Sequence, residues 1–568
     1  MTVDVASLVS DNLDIWTGAV ERKSGAGRGG GKRINLYGID RLRELILDLA
    51  VRGKLVSQDV EDEPASELLK KIGAERAKLT KAGVIGKRKA ADGNSDAAPY
   101  PIPEGWAWTK IADIGHDWGQ KEPSGDFTYV DVGSIDQSAG VIRSPNVMSA
   151  VEAPSRARKI VKVGTVIYST VRPYLLNIAI VDQDFDPEPI ASTAFAIVHP
   201  FEGVAASFLY RYLRSATFIA YVEACQTGIA YPAINDKQFF SAWFPLPPIA
   251  EQQRIVAKVD ELMALCDALE GESAAAMAAH QVLVETLLAT LTDSTNAADL
   301  AANWARLEAH FDSLFTTEAS VDALKQTILE LAVRGKLVPQ DTTEEPASEL
   351  LREISARLKQ SGKRTKAEWP DIEVAEVPFA LPCNWAWARF GQIAQIRAEL
   401  VQPQKHQDAI QIAPDVIEKG SGKLLAVRTV AQSGIRGPNS RFYAGQIIYS
   451  KIRPSLSKAV IADFDGLCSA DMYPLDAQID RSFLLRLILS EVFLRQVRIA
   501  ENRIKMPKLN KESLNGFVLP IPPLAEQQRI VVKIDELMAL CDVLKSRITD
   551  VASSQRHLAD AVIERAAA

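Results

Sequence analysis

The chain has 568 residues, of which 47% are hydrophobic and 24% charged, and its formal net charge is −7. This composition is typical of folded globular domains, three or four of them at roughly 150 residues each, and it excludes a disordered chain. Five scattered cysteines without a Cys-x-x-Cys pair argue against a disulfide framework and a zinc site, and they favour a reducing cytoplasm. The acidic balance means that a nucleic-acid partner would need locally concentrated basic residues.

The first part of the chain, residues 1–33, is predicted to be a tail and a flexible linker. Its beginning carries acids and no basic region, so no signal peptide is expected, and no stretch approaches the roughly 20 apolar residues that cross a bilayer. Residues 25–30 match the dinucleotide-binding pattern G-x-G-x-x-G. Because no strand precedes this match and no apolar helix follows it directly, we interpret it as linker.

Two segments of the chain are each present twice. Residues 42–72 and 324–354 are identical at 21 of 31 positions without a gap, and residues 247–269 and 522–544 are identical at 19 of 23. Apolar residues recur at alternating steps of three and four, which predicts helices with a coiled-coil seam. The predicted seam residues are Leu42, Ile46, Leu49, Ile255, Val259, Leu262, Leu324, Ile328, Leu331, Ile530, Ile534, Leu537 and Leu544.

Glycine and proline mark the predicted ends of these helices. Gly53 and Gly335 are expected to end the first pair of repeated helices in a left-handed conformation. The Pro-Pro pairs at 247–248 and 522–523 are expected to open the second pair, because proline suits the first turn of a helix.

Between the repeats lie two regions that differ from each other, and we call them the first variable domain (101–244) and the second variable domain (380–519). Each opens on Trp-x-Trp, contains an apolar run ending in Arg-Pro, and closes on a Pro-x-apolar-Asn element. Short β-branched runs between glycine and proline turns predict strands, so we expect an α+β domain. The remaining predicted parts are an N-terminal helical unit at 34–100, which pairs with the C-terminal helix, a central helical region at 245–379 and a C-terminal helix at 520–568.

These motifs resemble one protein family. The elements P-P-[IL]-A-E-Q-Q-R-I-V-x-K-[VI]-D-E-L-M-A-L-C-D and A-V-R-G-K-L-V-x-Q-D…E-P-A-S-E-L-L, each present twice, closely resemble those of type I restriction–modification specificity subunits. The resemblance covers nearly the whole chain. It implies an α+β fold with two α/β target-recognition domains, antiparallel coiled-coil helices between them and an internal pseudo-two-fold repeat.

The resemblance also implies a function. Each variable domain is expected to read one half of a bipartite, asymmetric site in double-stranded DNA. The helices are expected to dock two modification subunits that methylate adenine, and restriction subunits add translocation and cleavage.

No catalytic motif is recognisable in the sequence. The Asn/Asp-Pro-Pro-aromatic signature of amino-methyltransferases is absent, and the six histidines are isolated. We therefore predict a non-catalytic, cytoplasmic subunit without a metal or membrane contact, with S-adenosylmethionine, ATP and magnesium bound by partner subunits. The alternatives are a self-sufficient restriction or methylation enzyme and a stand-alone DNA-binding scaffold or regulator.

Basic residues concentrate at two places in the variable domains. Such residues can neutralise phosphates, and arginine can also pair with guanine in the major groove. The candidates for DNA contact are Arg156, Arg158, Lys159, Lys162, Arg172, Arg436, Arg441, Lys451, Arg453, Lys458, Lys505 and Lys508. Arg172 and Arg453 belong to the Arg-Pro motif, so a structural role in a turn is the alternative for both.

The two variable domains differ in charge. The second carries 19 Lys and Arg against 12 Asp and Glu, a net +7, and the first carries 11 against 15, a net −4. Because affinity that depends on phosphate contacts falls with salt, we expect the second domain to bind phosphates more strongly.

The duplication also predicts how the helices pair. The helices that begin at Pro247 and near Leu324 follow one another in the chain and can fold back as an antiparallel pair. By analogy, the helix of Leu42, Ile46 and Leu49 is expected to pair with the C-terminal helix, since an exposed apolar seam is disfavoured in water. The expected partners are Leu537, Leu544, Ile548 and Val551.

Overall fold

A computed structural model describes residues 3–23, 33–86, 98–228, 232–360, 369–501 and 507–567. The chain forms two compact units, one of Met1–Ala276 with Val551–Ala568 and the other of Met277–Asp550. Each unit contains one variable domain and the helices that flank it.

The first unit contains a variable domain with two four-stranded sheets. Its helices are α1 Val5–Asp11, α2 Leu13–Gly18, α3 Tyr37–Val51, α4 Ala65–Lys81, α5 Ile111–Ile114, α6 Ala206–Leu213, α7 Ala216–Cys225, α8 Asp236–Ser241 and, as far as residue 276, α9 Ile249–Asp293. Its strands are β1 Glu21–Lys23, β2 Arg33–Asn35, β3 Ala107–Lys110, β4 Gly115–His116, β5 Phe127–Val130, β6 Ile135–Asp136, β7 Val141–Ile142, β8 Asn146–Met148, β9 Ala157–Ile160, β10 Val166–Ser169, β11 Ile178–Ile180, β12 Pro189–Ser192, β13 Phe195–Pro200 and β14 Trp243–Leu246. The two larger sheets have the strand orders β11-β10-β13-β4 and β8-β5-β12-β9.

The second unit repeats this plan. Its helices are α10 Ala297–Ala309, α11 Phe311–Leu314, α12 Glu318–Val333, α13 Ala347–Gln360, α14 Phe390–Ile393, α15 Val430–Ser433, α16 Arg481–Leu489, α17 Glu491–Ala500, α18 Lys511–Gly516 and, as far as residue 550, α19 Leu524–Ala567. Its strands are β15 Ala386–Arg389, β16 Ala394–Ile396, β17 Glu399–Val401, β18 Ile410–Ile412, β19 Arg428–Thr429, β20 Asn439–Phe442, β21 Ile447–Ser450, β22 Ala459–Ile461, β23 Gly466–Ser469, β24 Met472–Ala477 and β25 Val518–Ile521. The sheets have the orders β16-β24-β21-β22 and β17-β20-β23-β18-β19, so the predicted α+β class with two similar domains is confirmed.

The N-terminal segment is folded rather than a tail. Helices α1 and α2 bury Val5, Val9 and Trp16, and strands β1 and β2 pair antiparallel. The expectation of a tail was therefore wrong for residues 4–23, because their apolar side chains find a core. Residues 24–32, which include the glycine pattern at 25–30, lie outside the described residues.

In the first unit, α3 pairs antiparallel with the first half of α9. The guanidinium of Arg43 lies 2.6 Å from a carboxylate oxygen of Asp267 and 2.7 Å from one of Glu270. In the segment that follows α3, Asp62 binds Arg254 of α9 at 2.6 Å. Residues later in the N-terminal segment thus contact residues earlier in α9, so the two segments run in opposite directions.

The second unit has the equivalent pair, α12 with α19. Lys545 binds Asp322 at 2.8 Å, and Asp542 accepts a hydrogen bond from Lys325. An antiparallel arrangement is present, but the first half of each long helix pairs with the helix on the other side of its own variable domain. The predicted association of α9 with α12 is found only in the second half of α9, where Leu288 and Leu291 share a core with Leu324.

The expected partners of the N-terminal helix were therefore wrong. Leu537, Leu544 and Ile548 pack against a core that contains Leu324 and Ile328. The reason lies in the base of each variable domain, where the first and last strands pair antiparallel, β3 with β14 and β15 with β25. This pairing brings the helix that enters the domain beside the helix that leaves it.

The far end of α19 belongs to the first unit and lies beside the start of α3. Asp560 accepts hydrogen bonds from the Tyr37 hydroxyl at 2.9 Å and from Nε of Arg41 at 3.0 Å. Val551, which was expected in the seam, is instead 57% exposed. The N-terminal and C-terminal helices therefore meet, as predicted, but beyond the predicted seam. This end of α19 also buries Ala559, Val562 and Ile563.

Eleven of the thirteen predicted seam residues are buried, and Leu537 and Leu544 are half-buried.

Helix α9 is long and apolar enough, by length and composition alone, to cross a membrane. One stretch of 18 residues in it has a mean hydropathy of 1.4, and 17% of that stretch is buried in the protein. Five alanines between 274 and 279 contribute to this value. Because buried seam residues lie at heptad spacing earlier in the same helix, protein packing accounts for part of its apolar character.

A buried glutamate joins each variable domain to its long helix, and we call this group the glutamate clamp. In the first unit, Glu251 accepts hydrogen bonds from the indole of Trp106 at 2.9 Å and from the amide of Gln58 at 2.7 Å. Burial raises the pKa of the Glu251 carboxyl, and both hydrogen bonds oppose that rise. The clamp therefore connects the start of the variable domain, the loop after α3 and the first turn of α9.

The second unit has the same clamp. Glu526 accepts from the indole of Trp385 at 2.9 Å and from the amide of Gln340 at 2.6 Å, and burial again raises the pKa of its carboxyl. The following glutamine extends the joint, because Gln527 accepts the backbone N–H of Asp480 at 2.9 Å. The repeated Ala-Glu-Gln-Gln sequence thus encodes a joint as well as a helix start.

We predict that Gly335→Ala destabilises the protein. Gly335 has φ +69°, as the sequence predicted, and an added Cβ would lie 2.6 Å from Cγ of Pro382. The left-handed conformation alone costs an alanine about 1–2 kcal/mol, and the contact adds to it. Urea denaturation should show a lower midpoint.

Gly271→Ala is the matched control, because Gly271 lies inside α9 with no atom within 4 Å of the added Cβ. Alanine there should stabilise by about 0.5–1 kcal/mol. Equal midpoints for the two variants would contradict the assignment of Gly335 as a required helix end.

We predict that Glu526→Gln weakens the joint of the second variable domain. A carboxylate accepts both donors, whereas an amide has one oxygen, so one buried donor would lose its acceptor at a cost of about 1–3 kcal/mol. The free energy of unfolding should fall, as measured by denaturant titration. Glu536→Gln, at an exposed site in the same helix, should change it by less than about 0.5 kcal/mol; a similar loss in both variants would refute the clamp.

Candidate nucleic-acid interface

The Arg-Pro motif forms the same strained turn in both variable domains. In the first, Arg172 has φ +49°, residues Pro173–Leu175 form a 3-10 turn, and Leu176 has φ +50°. Residues other than glycine rarely adopt this conformation, and such strain clusters at functional sites. We call residues 172–176 and their counterparts 453–457 the Arg-Pro turns.

In the second domain, the turn starts at Arg453 with φ +44° and ends at Ser457 with φ +50°. The buried prolines Pro173 and Pro454 anchor the two turns. Two domains that differ in most of their sequence therefore keep the same two strained positions.

A second repeated motif holds each turn in place. The backbone N–H of Arg172 donates to the carbonyl of Pro232 at 2.8 Å, and that of Arg453 donates to Pro507 at 2.9 Å. The Pro-x-apolar-Asn elements thus lie directly beside the Arg-Pro turns. Each element ends on an asparagine whose side chain caps the next short helix, Asn235 for α8 and Asn510 for α18.

Two basic candidates of the first domain lie near its turn. Arg156 is exposed, and its carbonyl accepts the backbone N–H of Thr193. The next residue, Ala194, accepts the backbone N–H of Thr170, two residues before the turn. Lys159 is buried and paired with Asp236 at 3.2 Å. Burial and this ion pair remove Lys159 from the residues that can reach DNA.

The other two candidates of this domain lie away from the turn. Arg158 is paired with Glu122 at 3.1 Å. Lys162 lies over the ring of Trp118 at 3.8 Å, at the opposite end of strand β10 from the Arg-Pro turn. The cluster that is continuous in sequence, residues 156–172, is thus dispersed over the domain.

In the second domain, Arg436 and Arg453 are exposed. Arg441 is half-buried and lies 3.5 Å from Glu399. The predicted contact Lys505 lies outside the described residues. Arg436 and Arg453 are therefore the second-domain arginines best placed to reach a ligand.

The second domain also carries lysines beside its turn. Lys508 is paired with Asp471 at 3.1 Å, and the backbone N–H of Lys451 donates to the carbonyl of the same aspartate. Burial lowers the pKa of Lys451, and nearby Lys508 and Lys511 lower it further. Lys458 donates to the carbonyl of Pro414 at 2.5 Å, which directs its ammonium away from the turn.

The matching backbone bonds allow the two turns to be compared position by position. Four positions around the turn are Thr170, Ala194, Ala233 and Asp236 in the first domain, and Lys451, Asp471, Lys508 and Lys511 in the second. The same backbone therefore presents a largely neutral surface in one domain and a lysine-rich surface in the other.

Sequence reasoning missed two residues of the first turn. Tyr174 is 50% exposed and Leu175 is 37% exposed, although both side chains are largely apolar. Their position directly after the repeated Arg-Pro could have identified them, because the second domain has Ser455 where the first has Tyr174. Among the described residues, no group of His, Cys, Asp and Glu could hold a metal ion.

Comparisons with known proteins agree on one family. The sequence model described as "Type I restriction modification DNA specificity domain" matches residues 384–552. Among solved structures, a chain titled "Structural basis underlying complex assembly and conformational transition of the type I R-M system" superposes with a TM-score of 0.50 at 22% identity, covering 83% of this chain and 99% of that one. At this identity the likeness establishes the fold alone.

Two curated relatives from Escherichia coli match the whole chain. The type I restriction enzyme EcoAI specificity subunit is 36% identical over 605 residues, covering 99% of this chain and all of the relative. The EcoEI specificity subunit is 34% identical over 596 residues, with 99% of both chains covered. The chain therefore belongs to the family of type I restriction enzyme specificity subunits.

Proposed function

We propose that this chain reads a bipartite, asymmetric site in double-stranded DNA, with one half-site bound by each variable domain. One observation carries the proposal: the two domains share the strand order of one four-stranded sheet and their strained Arg-Pro turn but differ in the chemistry around that turn. Identical scaffolds with different surfaces suit a site whose halves differ, because sequence is read by side chains at base edges.

The long helices supply docking surfaces for two modification subunits, which methylate adenine, and restriction subunits join the same complex. Supporting this, Leu265 and Leu540 occupy equivalent positions in the two repeats, and both are exposed on the outer faces of α9 and α19. Val532 and Val543 add further exposed apolar surface to α19. Exposed apolar patches on a folded protein mark places where partners bind.

This chain acts in the cytoplasm as a non-catalytic subunit that binds no cofactor itself. S-adenosylmethionine, ATP and magnesium are bound by the partner subunits, and this chain determines where on the DNA they act. The absence of an amino-methyltransferase motif from the sequence supports this division of labour.

Exchange of one variable domain tests the half-site proposal. Replacing residues 101–244 with the corresponding domain of another family member should change one half of the methylated motif and leave the other half intact, because the glutamate clamp and helices remain. Methylome sequencing of the host measures both halves. Exchange of residues 380–519 is the matched control and should change the other half. If either exchange changed both halves of the motif, or neither, the proposal of one half-site for each domain would be refuted.

The division of labour has its own test. The purified chain, free of partners, should neither bind S-adenosylmethionine nor transfer a methyl group to DNA, as measured by calorimetry and by incorporation of labelled methyl groups. Adding the modification subunit should restore methylation. Methyl transfer by the chain alone would contradict the non-catalytic role.

A further inference from the structure

We infer that the two Arg-Pro turns are the DNA-reading elements and that they bind DNA by different physical means. In the first domain, Tyr174 and Leu175 make apolar contacts with base edges in the groove. In the second domain, Arg453 and Lys508 bind phosphates and base edges through charge. This inference rests on the proposed function and names the residues that carry it.

The first turn presents apolar side chains on a rigid backbone. Tyr174 and Leu175 lie between two left-handed residues, Arg172 and Leu176, and the backbone of Arg172 is fixed by Pro232. A tyrosine has few side-chain torsions to immobilise, so a rigid turn that exposes one is suited to contact at low entropic cost. In a duplex the base faces are stacked on one another, so the thymine methyl group is the apolar surface that the major groove offers.

Apart from the half-buried Arg172 and the exposed Arg156, charge is scarce around this first turn. Thr170, Ala194 and Ala233 are neutral, and Asp236 is already paired with the buried Lys159. The exposed apolar surface of residues 174–175 is therefore the feature that distinguishes this turn from the second.

The second turn differs in its apolar surface and in the charge beside it. Ser455 replaces the tyrosine, and its backbone N–H donates to Glu501 at 3.1 Å. Leu456, the counterpart of Leu175, is half-buried. Arg453 is exposed at the start of the turn, and Lys508 lies beside it on the paired segment. Both cations can release condensed counterions from DNA, which makes binding salt-dependent.

The test measures binding of the full chain with its modification subunits to a duplex that contains the methylated motif, across a range of salt concentrations. Tyr174→Ser, which installs the residue of the second domain, should weaken binding by about 5- to 150-fold with the salt slope unchanged, because an apolar contact with one base pair is lost and no charge changes. Tyr174→Phe should retain most of the affinity. Arg453→Gln should reduce the slope of log K against log salt by about 0.9.

Arg481→Gln is the matched control, because Arg481 is exposed near Gly445, at the opposite end of strand β21 from the turn. It should change neither the affinity nor the slope. Thermal melting of each variant should match that of the wild type, since Tyr174 and Arg453 are surface residues.

The outcomes separate this inference from the proposed function. Site-specific binding by the wild type that Tyr174→Ser leaves unchanged would overturn the inference alone, as would equal changes of slope in the Tyr174 and Arg453 variants. A wild-type complex that binds specific and unrelated duplexes equally would overturn the proposed function.

Discussion

Both variable domains depend on one buried carboxylate for their attachment to the helices. Glu251 and Glu526 lie in the first turns of α9 and α19, where each accepts the indole N–H of the first tryptophan of the Trp-x-Trp motif and the amide of a glutamine in the loop after the paired helix. A buried carboxylate is costly unless its oxygens are satisfied, so the three groups must be positioned together. This requirement holds the start of each domain against its long helix.

A fixed joint leaves the rest of the domain free to vary. The two domains share the strand order of the four-stranded sheet that leads into the turn, yet their net charges differ by eleven, from −4 to +7. The strained Arg-Pro turn is retained because the paired segment after Pro232 or Pro507 holds it, whatever the exposed side chains are. The same attachment to the helices, combined with different exposed side chains, is the arrangement expected of two domains that recognise different DNA sequences.

Much of the scaffold could be predicted from the repeated sequence. The heptad spacing identified seam residues such as Ile255 and Ile530, and the glycines after each short helix indicated its left-handed end, because both signals are local. The choice of helix partner could not be predicted in the same way. It depends on the pairing of β3 with β14 and of β15 with β25, strands more than 130 residues apart that carry no local sign of one another.

The candidate site was predictable in outline and not in detail. The Arg-Pro motif pointed to the correct turn, but proximity in sequence could not show that Lys159 is buried against Asp236. Exposed apolar residues such as Tyr174 were missed because a basic cluster is the usual sign of a DNA contact, whereas an exposed tyrosine can be recognised only from its position in the fold.

Site-specific photocrosslinking tests the central claim, that two equivalent turns read two different half-sites, most directly. A benzophenone side chain would replace residue 174 in one variant and residue 455 in another, each assembled with modification subunits on a duplex carrying the methylated motif. The account predicts that residue 174 crosslinks to one half-site and residue 455 to the other. Crosslinks from both positions to the same half-site, or crosslinks from positions 162 and 481 at the opposite ends of the domains in place of the turns, would contradict it.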